Sequence, residues 1–265
     1  MRTMIPVTLL FGLALVGARG ADDRVDPGIL KLSEKYGLLA VVRPEFPVRT
    51  FHGVIEGKEG AAKDLNAYLP IFLAEWNLYP VELVKRTKLR RIILCAGLSF
   101  AGQLRAAIPD FEHDDLYLDV VRGRYDELYV RKVIHHEYFH VIDYRNGTLY
   151  RDQKWSALLP AGAKYAAGGK NAQADSGGSL VRDDLPGFLN SYSMTGVEED
   201  KAEVFANMVV NGSVFEQRAQ KDAVLKQKAQ RMKAFLADFC PNMDESFWHA
   251  AGKWHRASTK SRPSS

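Results

Sequence analysis

Short apolar runs bounded by turn residues occupy the first half of the chain, and longer runs with helical periodicity occupy the second. That order predicts an α+β fold: a small mixed sheet followed by a mostly helical C-terminal half. Hydrophobic residues make up 46% of the 265 residues and charged residues 26%, which suits a globular protein and not a disordered, collagen-like or multi-span membrane chain. A formal net charge of +4 is too small over this length to predict nucleic-acid binding.

The elements follow in order. Residues 1–20 read as a signal peptide: Arg2 precedes the apolar run Ile5 to Val16, and Ala18 and Gly20 place small residues before a cut at Ala21. This predicts a secreted or periplasmic protein, with residues 21–257 as a single domain. No later run is long enough to span a bilayer, so no stable membrane insertion is expected. Residues 38–43 and 49–56 read as strands. Between Glu59 and Trp76 the apolar residues, from Ala62 on, recur at helical spacing, with Pro70 expected to kink or split that helix, and Pro80 opens a shorter one. Residues 89–95 and 116–121 are the next strands. Residues 125–144 form an amphipathic helix, carrying Leu128, Val133, His136, His140 and Val141.

Periodicity then fades. Residues 146–190 are rich in Gly and small polar residues, as in a long wrapping loop or lid. Helical patterns resume at 197–210, 214–239 and 244–254, and residues 258–265 form a tail expected to be disordered. Cys95 and Cys240 permit a disulfide in an exported protein but suit two buried thiols equally well. The basic run Lys85 to Arg91 reads as a solvated corner between helix and strand, because no aromatic ladder accompanies it.

The chemistry concentrates in His136-Glu137-Tyr138-Phe139-His140. Histidines at i and i+4 lie one turn apart on one helix face, so both imidazoles can reach a single Zn²⁺ ion. Glu137, beside the first of them, is placed to act on water at the ion without ligating it. An extended three-histidine motif would need Gly at 143 and His at 146, and Asp143 and Asn146 exclude it. A carboxylate from downstream must then complete the set. Glu198, Glu199 and Asp200 stand where a helix first turn ordinarily favours acids. Glu203 lies a turn further in, among Ala202, Val204, Phe205 and Ala206, where an unpaired carboxylate would be costly. Glu203 is therefore the expected third ligand, with Glu199 the alternative.

His136-Glu137-x-x-His140 together with Ala202-Glu203-Val204-Phe205-Ala206 resembles the gluzincin zinc metallopeptidases. The nearer likeness is to anthrax lethal factor-type catalytic domains and to zinc-binding metallopeptidases secreted by bacteria. It covers roughly residues 116–210, and Ser191-Tyr192 matches a Ser-Tyr pair that precedes the glutamate helix in the lethal factor type. The resemblance implies a zincin-like fold and a zinc-dependent endopeptidase acting on a peptide or protein substrate; no nucleic-acid partner is expected, and the protein is expected to be a monomer. Tyr192 would hydrogen-bond the oxyanion. The resembling families carry Asp or Glu four residues after the ligand glutamate, whereas Asn207 stands there after Glu203. Asn207 and Asp143 are expected to support the ligands without touching the ion. Glu137 would be the general base, and residues 116–120 the strand whose edge pairs with substrate. The competing reading is a zinc-holding protein that binds peptides or surfaces and has lost turnover.

Overall fold

The computed structural model describes residues 26–166, 182 and 184–260, with side chains as far as residue 252. The expected signal peptide lies outside the described residues, as do most of the Gly-rich part of the 146–190 loop and residues 261–265.

Helix α1 (Pro27–Tyr36) opens the described chain. The Asp26 carboxylate accepts from the Gly28 amide at 2.7 Å, Pro27 supplies a preset φ, and Gly37 closes the helix at φ 69°. Strand β1 (Leu39–Val41) follows. The single strand expected over 49–56 is a hairpin, β2 (Val48–Thr50) and β3 (Gly53–Glu59), turning at Phe51 and His52 with Thr50 opposite Gly53. Helix α2 (Ala62–Trp76) passes through Pro70 as one element, and α3 (Val81–Thr87) starts straight after Pro80.

Strand β4 (Arg91–Phe100) is the axis of the sheet. It runs parallel to β1 and β7 (Asp115–Asp119), and antiparallel to β3 and β5 (Gln103–Leu104). Strand β6 (Ala107–Asp110) pairs antiparallel with β7, giving the order β2-β3-β4-β7-β6. The connection expected between the two central strands therefore holds two strands of its own. Both edges of β7 are hydrogen-bonded, so residues 116–120 have no edge for a substrate, and β6 is the outer strand on that side.

The pleat sorts the sheet's side chains. Ile92, Leu94, Leu116 and Leu118 enter the main core among the helices, while Ile93, Cys95 and Tyr117 form a smaller cluster with Ile55 and Leu98 on the opposite face. Cys95 and Cys240 are both buried free thiols. The basic corner is tied down locally: Arg86 donates to the Phe239 carbonyl at 3.0 Å, and Arg91 pairs with Asp115.

Helix α4 (Glu127–Asn146) crosses under the sheet, capped by Asp126 at its start and by Gly147 at φ 76° at its end. A short helix α5 (Gln153–Ser156) lies in the loop that follows. A 3-10 turn (Tyr192–Met194) then leads into α6 (Val197–Val210), which is buried on nearly every side. The long helix expected over 214–239 is two helices, α7 (Gly212–Lys221) and α8 (Ala223–Phe239). Asp222 divides them: its carboxylate caps α8 at the Val224 and Leu225 amides and also takes the Gly187 amide at 2.7 Å. Helix α9 (Glu245–Lys260) extends to Lys260, so residues 258–260, expected in the tail, are helical.

The first turn of α6 is fastened by charge. The Lys228 ammonium lies 2.6 Å from Asp200, and both side chains are fully buried. Trp155 and Tyr165 donate to the same Asp200 oxygen at 2.8 and 2.6 Å, which anchors the described part of the 146–190 loop. Lys201 pairs with Asp143 at 2.7 Å and donates to the Thr148 carbonyl at 2.8 Å. Breaking a buried pair on one side strands the other charge, so Lys228→Met should destabilise the fold by about 3 kcal/mol, measured as the denaturant midpoint. Adding Asp200→Asn should recover part of that loss; a single variant as stable as wild type would show that the pair contributes nothing.

Candidate metal centre

His136 and His140 both lie on α4 and both are buried. Their rings meet edge to face with centroids 4.9 Å apart, and the two Nε2 atoms are 3.2 Å apart. Glu199, in the first turn of α6, brings Oε2 to 3.0 Å from Nε2 of His136 and 3.5 Å from Nε2 of His140. These three residues form the cluster of His, Cys, Asp or Glu donors able to hold a metal ion among the described residues.

The donor set fits zinc in kind and in spacing. Two imidazole nitrogens and a carboxylate oxygen are ordinary zinc ligands. A tetrahedron with metal–ligand distances of about 2.0–2.1 Å has edges of about 3.3 Å, close to the three separations found here.

The far side of His136 explains why these groups converge. Nδ1 lies 3.0 Å from Oε1 of Glu203, which sits one turn beyond Glu199 on α6. A carboxylate can only accept, so both nitrogens of His136 face acceptors, Nδ1 in ion-pair contact with Glu203 and Nε2 against Glu199. Acceptors facing one another in a buried place require a positive charge between them. The electrostatics agree. Burial works against charge on His136, but Glu199 and Glu203 outweigh it and push its pKa up to about 10. Burial likewise opposes charge on Glu199, yet His140 and His136 hold its carboxyl well below the usual range.

The two carboxylates thus have different surroundings. Glu199 stands against the two Nε2 atoms, and Glu203 does not. Glu203 is fully engaged elsewhere: Lys132 donates to its two oxygens at 3.0 and 3.2 Å, and Asn190 donates to Oε2 at 2.7 Å. Burial opposes its charge, but Lys132 and His136, and then Asn190, outweigh that cost and hold its pKa down, at about 2. The cation that a buried Glu203 requires is a lysine one turn before His136. Asn207 donates to Glu203, through its carbonyl at 2.9 Å and Oε2 at 3.5 Å, and not to a histidine. Asp143 is turned to Lys201 and Thr148, where it fastens the end of α4.

Glu137 is half-buried beside the cluster. Burial raises its pKa, against the pull of His136 and His140, so it is a stronger base than an exposed carboxylate. Tyr192, on the 3-10 turn, places its ring 5.8 Å from that of His136. Burial first, and then the charges of Glu199 and Glu137, keep its phenol protonated well above the ordinary range.

Sequence reasoning passed over three contributors. Lys132 is detectable in principle, as the residue four before His136 on the same helix face. Asn190 comes from a loop without periodicity. The third is a fully buried network behind the site. His135 donates from Nε2 to Glu75 at 2.7 Å and accepts at Nδ1 from the Tyr79 hydroxyl at 2.5 Å, and Glu75 also meets Arg131. It ties α4 to α2.

No protein-family model matches this chain, and no curated protein matches it. Its fold is similar to a crystal structure described as a "putative zinc-binding metallo-peptidase" from Bacteroides caccae ATCC 43185. The TM-score is 0.54 at 16% identity, covering 88% of this chain and 92% of that one. At that identity the likeness establishes a shared fold. Within it, a mixed sheet lies over the helix that carries His136 and His140.

Proposed function

We propose that the protein is a zinc-dependent peptidase, exported by its first twenty residues, with His136, His140 and Glu199 as metal ligands. The observation that carries this reading is the convergence of two Nε2 atoms and one carboxylate oxygen at 3.0 to 3.5 Å. The resemblance seen in the sequence is also better satisfied with Glu199 as ligand. The residue four positions on is then Glu203, an acid as in the lethal factor type, and it stands at Nδ1 of His136.

Bound there, zinc would supply Lewis acidity, acidifying a water and polarising the scissile carbonyl. Glu137 takes the water's proton and later delivers it to the leaving amine. Tyr192 donates its hydroxyl hydrogen to the developing oxyanion. Glu203 fixes His136 in the tautomer that presents Nε2. An extended peptide would pair with β6, since both edges of β7 are filled.

The full chain loaded with zinc should cleave denatured casein, with cleavage abolished by a chelator and restored by zinc. Tight peptide binding without cleavage would instead make it a zinc-holding binding protein. Glu137→Gln should retain zinc and lose roughly a hundredfold to ten-thousandfold in kcat; an active variant would remove Glu137 from the role of base. Tyr192→Phe should lower kcat by about a hundredfold or more while leaving zinc content unchanged.

Metal analysis separates the two acids of α6. Glu199→Ala should lose stoichiometric zinc on gel filtration, whereas Glu203→Ala should bind it roughly ten- to a hundredfold more weakly. The opposite order would return the ligand role to Glu203.

A further inference from the structure

Asn190 holds two parts of the site with one side chain. Its amide nitrogen donates to Oε2 of Glu203 at 2.7 Å. Its amide oxygen accepts from the Ser193 backbone N–H at 2.9 Å and from the Ser193 hydroxyl at 3.0 Å. Asn190 and Ser193 are both buried, and Ser193 lies within the 3-10 turn that carries Tyr192. Glu203 in turn stands 3.0 Å from Nδ1 of His136. A continuous chain of polar contacts therefore runs from the turn bearing Tyr192, through a single amide, to the imidazole on α4.

The chemistry of that amide matters. A side-chain amide offers a donor and an acceptor on opposite arms of one rigid plane. Glu203 needs a donor at Oε2, and the turn needs an acceptor for the Ser193 N–H. Asp would place a second carboxylate against Glu203, and a hydrophobic residue would leave a buried backbone N–H without this acceptor. Lys132 neutralises Glu203 from the α4 side, at 3.0 Å from Oε1, but it does not reach the turn by any of these contacts.

Resting on the peptidase reading above, we propose that Asn190 is a positioning residue that sets Glu203 behind His136 and the Tyr192 turn together. Metal affinity and the contribution of Tyr192 to turnover then depend on the same side chain.

The test uses the full chain with Co²⁺ as the metal probe, added stepwise and followed by visible absorption, together with peptide cleavage by the zinc-loaded protein. Asn190→Ala should weaken cobalt binding about tenfold. Its loss in kcat should also be non-additive with that of Tyr192→Phe: the double variant should be little worse than Asn190→Ala alone. Tyr192→Phe by itself should leave cobalt affinity unchanged.

Asn190→Asp keeps the acceptor for Ser193 and spoils the donor to Glu203. It should weaken cobalt binding while retaining more of the Tyr192 effect than Asn190→Ala does, and it decides the matter if the alanine variant does not fold. Folded Asn190 variants that bind cobalt within twofold of wild type, or whose kcat losses add with Tyr192→Phe, overturn the inference and leave the peptidase reading standing. If wild type takes up no more cobalt than His136→Ala, the peptidase reading fails and takes this inference with it.

Discussion

One imidazole is gripped on both nitrogens by carboxylates from a single helix. Glu199 and Glu203 stand one turn apart on α6, and they meet Nε2 and Nδ1 of His136 at 3.0 Å each. Two acids on one face of a buried helix would repel each other and resist desolvation unless cations were brought to them. His136 lies between them, His140 adds its Nε2 beside Glu199, and Lys132 holds Glu203 from the opposite side. The packing of α4 against α6 is therefore fixed by an electrostatic requirement as much as by apolar contact. The sheet above and the helices around them serve to keep that pair dry.

Much of this architecture is legible in the sequence, and the parts that are not share physical causes. The helix boundaries 197–210 can be read directly, because Val204, Phe205, Met208 and Val209 recur at helical spacing and Gly196 and Asn211 flank the segment. The hairpin turn at Phe51 and His52 is hidden because neither residue signals a turn. The break at Asp222 is hidden because periodicity continues on both sides of a residue whose side chain quietly caps the second helix. Pro70 suggests a kink, yet α2 remains one helix around it.

The site divides in the same way. The spacing of His136 and His140 specifies their convergence, since both lie on one helix and no tertiary information is needed. The carboxylate is harder, because it depends on how a second helix is rotated against the first. First-turn acids ordinarily face water, and that expectation favours Glu203 over Glu199. In the structure α6 is buried at its first turn too: Glu199, Asp200 and Lys201 are all inside. Nothing in the segment marks this, since five of the seven residues from Val197 to Glu203 are charged. Asn190 and Tyr192 lie on a loop whose path follows from its contacts alone.

Those three consecutive residues of α6 leave in three directions: Glu199 toward the histidines, Asp200 to Lys228 and Trp155, and Lys201 to Asp143. Successive side chains on a helix are about 100° apart, so the three anchors surround its axis. A rotation that relaxed one would pull the other two charges out of their partners and through the core. The helix consequently has no inexpensive partial opening, and its amide protons should exchange with solvent only as fast as the whole domain unfolds. The charges that take no part in chemistry thus act as a register lock, so that the geometry around His136 lasts as long as the fold itself.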